Sequence, residues 1–222
     1  MLKEKIQRLI ESAGGEKIIL EHEAKGLLRE LGLDVPRGVF IERGKKSAPA
    51  GETVFPAAVK TVSRLIKSKS GAQALRLGVR DENGLGQAID ELAGMEGALG
   101  VLVEEMVTGG IEAIAGGTMD AQFGPVVMFG LGGLFVEVFE DVAFALAPVN
   151  REGALWLVSQ IKGHKILKGL RGMPPVDMDA LAGAVVTVSE IIATGLVAEI
   201  DLNPVALFPD RAVVLDAKIF LP

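Results

Sequence analysis

The chain has 222 residues, 49% of them hydrophobic, enough to bury a substantial core as one large domain or two lobes. Its net charge is -6 and its Lys and Arg are scattered, nowhere denser than Arg43, Lys45 and Lys46, which excludes the basic footprint of a nucleic-acid binder. The absence of cysteine excludes disulfides, thiolate metal sites and cysteine nucleophiles, and suits a cytoplasmic protein.

The first 20 residues read as an amphipathic helix, with Leu2, Ile6, Leu9 and Ile10 on one stripe and no apolar core of a secretory signal. From Leu20 to Leu31 the apolar positions Leu20, Ala24, Leu27, Leu28 and Leu31 recur at helical spacing, and Gly32 stands where a helix terminator is expected. Val39 to Ile41 and Val54 to Val62 predict strands, as do Leu75 to Val79 and Val101 to Val107, with a helix over Glu82 to Leu92. These elements define a first α/β lobe over residues 21–107. Gly109 and Gly110 then form the candidate hinge, and residues 108–222 form a second lobe.

In that second lobe, short glycine-punctuated strands are predicted at Ile111 to Gly117, Val126 to Phe129, Phe135 to Val138 and Val142 to Leu146. Helices are predicted over Arg151 to Ile161 and Asp177 to Ile192, with Asp177 as N-cap. The apolar stretches Val126 to Val138 and Ala182 to Val197 are broken by glycines, Glu137 and Glu190 before reaching the ~20 residues of a membrane span. No membrane partner is expected.

The chain ends in a predicted hairpin, Val197 to Leu207 and Ala212 to Ile219. With Pro209 and Asp210 at the centre of a tight turn, Asn203 faces Asp216 and Asp201 faces Lys218. Alternation places Glu199, Asp201 and Asn203 on one strand face and Ile200 and Leu202 on the other. Asn203 and Asp216 thereby offer the hard oxygens that Mg²⁺ prefers. The alternative is a solvated outer face with an Asp201–Lys218 ion pair.

Lys60 ends an apolar strand beside the Ser- and Lys-rich loop Ser63 to Ser70, where lysines either meet phosphates as point charges or are ordinary surface lysines. The turn Gly130 to Gly133 is not followed by a helix pattern, so its glycines are read as supplying a tight turn. Neither His22 nor His164 has nearby carboxylate pairs in sequence, and both are read as non-catalytic.

Several segments together resemble one family. Gly110 to Thr118 continues through Asp120 to Gly133, and Leu146, Ala147 and Pro148 follow. Next come Ile161 to Gly163, Gly169 to Asp177, Ala198 to Val205, and Asp216 with Ala217. This series is similar to the ATP-grasp β subunit of ADP-forming acyl-CoA synthetases, from about Glu21 onward. The resemblance implies an ATP-grasp fold, two α/β lobes with a nucleotide cleft between them. It further implies ATP or ADP and Mg²⁺ as cofactors and a CoA-binding α subunit as partner, whose phosphohistidine exchanges a phosphoryl group with the nucleotide.

Carried over by position, the resemblance assigns Lys60 to the nucleotide phosphates and Lys69 to the mobile loop. Glu105, Met106 and Val107 would meet the adenine edge and Glu112 the ribose. Asn203 and Asp216 would bind the metal, with Glu199 close to the transferred phosphoryl group. The chain departs from the family at Ser68, Gln73 and Ala74 in the mobile-loop motif, and at Met119 and Ala145, where arginines are expected. Two functions follow as expectations: an enzyme subunit for phosphoryl transfer, or a paralogue that binds nucleotide or regulates a partner without transferring.

Overall fold

A computed structural model describes residues 1–45, 47, 51–65, 74–133, 140–170 and 172–222. These residues separate into two compact units, one of Leu20–His22 with Pro36–Thr108, the other of Met1–Ile19, Glu23–Val35 and Gly109–Pro222.

The smaller unit is built on a four-stranded antiparallel sheet from β2 (Gly38–Glu42), β3 (Ala57–Val62), β4 (Leu75–Val79) and β5 (Gly100–Glu105), in the order β2-β5-β3-β4. The central strands β3 and β5 carry Val59, Val101 and Val103 inward, against α3 (Glu82–Ala93). The spacing of Leu85, Ala88, Ile89 and Leu92 gives α3 a single buried face, as helical periodicity requires. Asp81 caps its start by accepting from the Gly84 amide at 2.8 Å.

The larger unit carries a seven-stranded sheet in the order β1-β11-β9-β6-β7-β8, with β10 also paired to β9. Its strands are β1 (Ile18–Ile19), β6 (Ile111–Asp120), β7 (Gly124–Leu131), β8 (Val142–Leu146), β9 (Glu199–Leu207), β10 (Ala212–Val214) and β11 (Ala217–Phe220). All pair antiparallel. Its helices are α1 (Leu2–Ser12), α2 (Glu21–Glu30), α4 (Arg151–Ser159), the single turn α5 (His164–Leu167) and α6 (Met178–Ala193). The start of α2, Glu21 and His22, groups with the smaller unit. α6 lies along the sheet with Leu181, Val185, Val188 and Ile192 buried, and Asp177 caps it through the Asp179 and Ala180 amides, both at 2.9 Å. Gly117 of β6 makes room for that helix, since a Cβ there would stand 3.2 Å from Val188 and Ile192 carbons.

Most predicted elements recur with small shifts at their ends. Val142–Leu146 and Leu75–Val79 match to the residue. The terminator expected at Gly32 is a Schellman turn: Gly32 has φ 90, and Leu33 donates to the Leu28 carbonyl at 3.0 Å. The helix read over the first 20 residues ends at Ser12, and Ile18–Ile19 form the strand β1 instead; β1 and the turn α5 were not foreseen, because two or four residues carry no periodicity. The lobe boundary read at residue 21 differs from the packing boundary. Leu27 and Leu28 of α2 join the larger core, so Glu23–Val35 groups with the second half of the chain. The predicted strand Phe135 to Val138 lies outside the described residues.

Two glycine-to-alanine changes should shift stability in opposite directions. A Cβ at Gly100 would stand 2.2 Å from the Ile41 carbonyl oxygen, whereas one at Gly183, inside α6, meets nothing within 4 Å. Gly100→Ala is expected to cost about 1–3 kcal/mol through overpacking, and Gly183→Ala to add about 0.5–1 kcal/mol of helix stability. Urea unfolding followed by circular dichroism measures both.

Candidate functional site

In the larger unit the candidate site is the outer face of the C-terminal hairpin. Phe208 donates to the Arg211 carbonyl at 2.8 Å, closing a two-residue turn over Pro209 and Asp210. Val214 pairs with Val205, Ala217 with Leu202 and Lys218 with Asp201, the register anticipated from that turn. Between β10 and β11, Asn203 donates its amide to the Asp216 carbonyl at 3.2 Å, so these two residues are opposite neighbours. Ile200 and Leu202 are buried beneath, while Glu199 and Asn203 are exposed and Asp201 is half-buried.

Asp201 sits at the centre of this face. Burial pushes its carboxyl up from the ordinary aspartate range; Lys218 opposes that shift, and Asp216 and Glu199 reinforce it. Asp201 and Glu199 of β9, Lys218 of β11 and Asp216 between β10 and β11 thus form one electrostatic group around Asp201. Beside them, a groove of about 300 Å³ runs over β6 and β7, with Gly116 and Thr118 as its floor, Met128 and Phe144 as apolar wall, and Glu199 and Asp201 as polar edge. Gly116 pairs with Asp201 and presents no side chain there.

The donor set suits magnesium. Among the described residues no group of three or more His, Cys, Asp and Glu could form an all-protein metal cage. One amide oxygen from Asn203 and one carboxylate from Asp216 match an ion that takes a few protein oxygens and completes its shell with phosphate and water.

Glu112 begins β6 and is exposed; its carbonyl accepts from Gly132 at 2.7 Å. The turn read at Gly130 to Gly133 is in part strand: Gly130 and Leu131 close β7, paired with Ile114 and Ala113, and a positive φ (62) falls on Gly133. Met119 is exposed near the end of β6 and Ala145 is half-buried in β8. His22 stacks on Phe40 with ring centroids 4.2 Å apart, and the His164 Nδ1 lies 3.1 Å from the Ile161 carbonyl.

In the smaller unit, Lys60 is buried near the end of β3. Its Nζ lies 2.8 Å from Glu21 and 2.9 Å from Glu104, whose side chains are 4% and 3% exposed. Neither carboxylate was anticipated from sequence. The Glu105 side chain is held by Arg37, which donates to it from Nε at 3.0 Å, from its guanidinium end at 2.9 Å and from its backbone amide at 3.0 Å. The amides of Glu105 and Met106 donate to Arg37 and Pro56 carbonyls at 2.8 and 2.9 Å. A base edge at Glu105, Met106 and Val107 would therefore meet the other backbone groups of that run. Lys69, Ser68 and Gln73 lie outside the described residues; Ala74 is fully buried.

Comparison with known proteins agrees with this architecture. The ATP-grasp domain family matches residues 11–221. The β subunit of acetate–CoA ligase [ADP-forming] I from Pyrococcus furiosus is 36% identical, with 98% of each chain covered. Acetate–CoA ligase [ADP-forming] I from Archaeoglobus fulgidus is 38% identical over 99% of this chain, which spans 33% of that longer protein. A solved acetyl-coenzyme A synthetase 1 from Ca. Korarchaeum cryptofilum, in complex with coenzyme A, Ca-AMPCP and HgCl+, superposes with a TM-score of 0.90 at 35% identity, covering 97% of this chain and 99% of that one. Another structure of that enzyme, with coenzyme A and Mg-AMPPCP and its phosphohistidine segment pointing towards the nucleotide site, gives 0.84 at 36% identity, covering 98% and 100%. The chain belongs to the ATP-grasp family, in the group formed by the β subunits of ADP-forming acyl-CoA synthetases. The paralogue reading gains no support from these relatives. Among the described residues no helix is long and apolar enough to cross a membrane.

Two outcomes follow from the charges. Lys60→Met removes the ammonium that lies against the buried Glu21 and Glu104 and should cost about 3–5 kcal/mol in urea unfolding, with Glu21→Gln in the same chain restoring part of it. For Asp201, a folded-state pKa above the unfolded one means the native state holds the proton longer. Its contribution therefore falls as pH rises through that window and stays unfavourable above it. In EDTA, Asp201→Asn should raise the Tm at pH 7, and the gain should shrink as pH approaches about 4.

Proposed function

We propose that this chain is the nucleotide-binding β subunit of an ADP-forming acyl-CoA synthetase. It binds ATP or ADP with Mg²⁺ and passes a phosphoryl group between the nucleotide and a histidine of a CoA-binding α subunit. The observation that carries the proposal is the hairpin register: it sets Asn203 opposite Asp216, with Asp201 and Glu199 on the same strand. That polar face occurs in a chain similar over nearly its full length to a separate β subunit.

Phosphoryl transfer asks a protein for placement and charge neutralisation more than for covalent chemistry. Asn203 and Asp216 would hold magnesium, whose charge neutralises phosphate oxygens when bound. Glu199 and Asp201 lie beside that position and suit the orientation of a partner imidazole through its N–H. Lys60 is the phosphate contact in the smaller unit, and Glu21 and Glu104 hold its ammonium ready at the end of β3. The Glu105 to Val107 backbone is assigned to the base, Glu112 to the ribose, and Lys69, the lysine of the mobile-loop motif, to the transfer step. Met119 and Ala145 stand where two cations are expected, so transfer should be slower than in a chain that carries them. A cytoplasmic location fits this function.

Binding is tested by thermal shift with millimolar ADP and MgCl₂. A ligand selective for the native state adds about 2.7 kcal/mol at one hundred times its Kd, enough to move the Tm by several degrees. Asp216→Ala should remove the magnesium-dependent part of the shift and leave the fold intact. Single-turnover phosphorylation of an added α subunit tests the transfer itself. A folded chain whose Tm ignores nucleotide and magnesium would overturn the proposal.

A further inference from the structure

Lys25 of α2 is 2% exposed, and its ammonium donates to the Leu215 carbonyl at 2.7 Å, across 190 residues of sequence. Burying an ammonium carries a desolvation penalty that Leu or Met at the same helical position would avoid. What the lysine grips gives that penalty a purpose.

Leu215 and Asp216 form the break between β10 and β11. On either side the ladder is regular, Val214 opposite Val205 and Ala217 opposite Leu202. In a regular antiparallel pair, the N–H and C=O of one residue face the same neighbour. Opposite Leu215 stands Pro204, which has no N–H to return the bond: the Leu215 amide donates to the Pro204 carbonyl of β9 at 2.9 Å, and the Leu215 carbonyl accepts from Lys25 instead. The peptide unit is planar, so the plane that carries the Leu215 oxygen also carries the Asp216 amide and leads into the Asp216 Cα. Holding that oxygen restrains the peptide plane to which the Asp216 Cα is attached. The same contact brings a positive charge within one residue of Asp216.

We propose that Lys25 is a positioning residue for magnesium-dependent nucleotide binding, holding the Leu215 carbonyl so that the Asp216 carboxylate stands opposite Asn203. The proposal rests on the reading of Asn203 and Asp216 as magnesium ligands. It extends the site to a helix about 190 residues earlier in the chain.

Calorimetric titration of ADP in MgCl₂ and in EDTA, with wild type and Lys25→Met, tests it. Groups that orient metal ligands are worth about 10–100-fold in metal affinity. Lys25→Met should therefore weaken ADP binding about tenfold or more in magnesium and leave the EDTA value unchanged. Lys25→Arg, which can still donate to the carbonyl, should recover most of the loss. A Lys25→Met chain that melts earlier but keeps the wild-type ratio of the two affinities would overturn the proposal and leave Lys25 as a helix tether. Should that variant not fold, Lys25→Gln is measured the same way: a reduced ratio supports the positioning role and a wild-type ratio overturns it. A wild type whose ADP affinity ignores magnesium fails differently, since it removes the Asn203 and Asp216 assignment itself.

Discussion

Antiparallel pairing of β9 with β6 on one side and with β10 and β11 on the other is the constraint on which the rest of the larger unit depends. Side chains alternate along a strand, so a slip of one residue would turn Glu199, Asp201 and Asn203 into the core and Ile200 and Leu202 out to solvent. The burial of Ile200, Leu202 and Val205 against α6 and its neighbours opposes that slip. The same register leaves Gly116 opposite Asp201 and Thr118 opposite Glu199, which shapes the groove beside the acidic groups. Hydrophobic burial on one face therefore places the polar chemistry on the other.

Charge is handled differently in the two units. Around Lys60 two carboxylates close to within hydrogen-bond distance of one ammonium and all three side chains are buried, so the ammonium offsets the repulsion between the two carboxylates. On the hairpin face the groups are half-buried or exposed, and the charged form of Asp201 is disfavoured by burial and by its acidic neighbours, with Lys218 as partial relief. A lysine already satisfied by carboxylates must exchange partners to meet a phosphate.

Much of this was legible in the sequence because the rules involved are local. The two-residue turn at Pro209 and Asp210 sets the pairing of Asn203 with Asp216, and alternation then sorts the faces. The helical spacing of Leu27, Leu28 and Leu31 and the capping residues Asp177 and Gly32 likewise act within a few positions. Asp201 was visible as a strand residue facing Lys218, but its central place among the acidic groups depends on desolvation, which one sequence does not express.

The composition, the two-period and helical patterns and the terminal turn by themselves determined the α/β class, most of the elements and the polar face of the hairpin. Only the tertiary structure decided that α2 packs largely with the second half of the chain, that Glu21 and Glu104 meet Lys60, and that Lys25 reaches Leu215. The physical reason is separation along the chain. Glu21 lies 39 residues from Lys60, and Lys25 lies 190 from Leu215. No turn rule or periodicity spans such distances; those contacts are selected by the packing of whole elements, where a buried charge must find whichever partner the fold brings near.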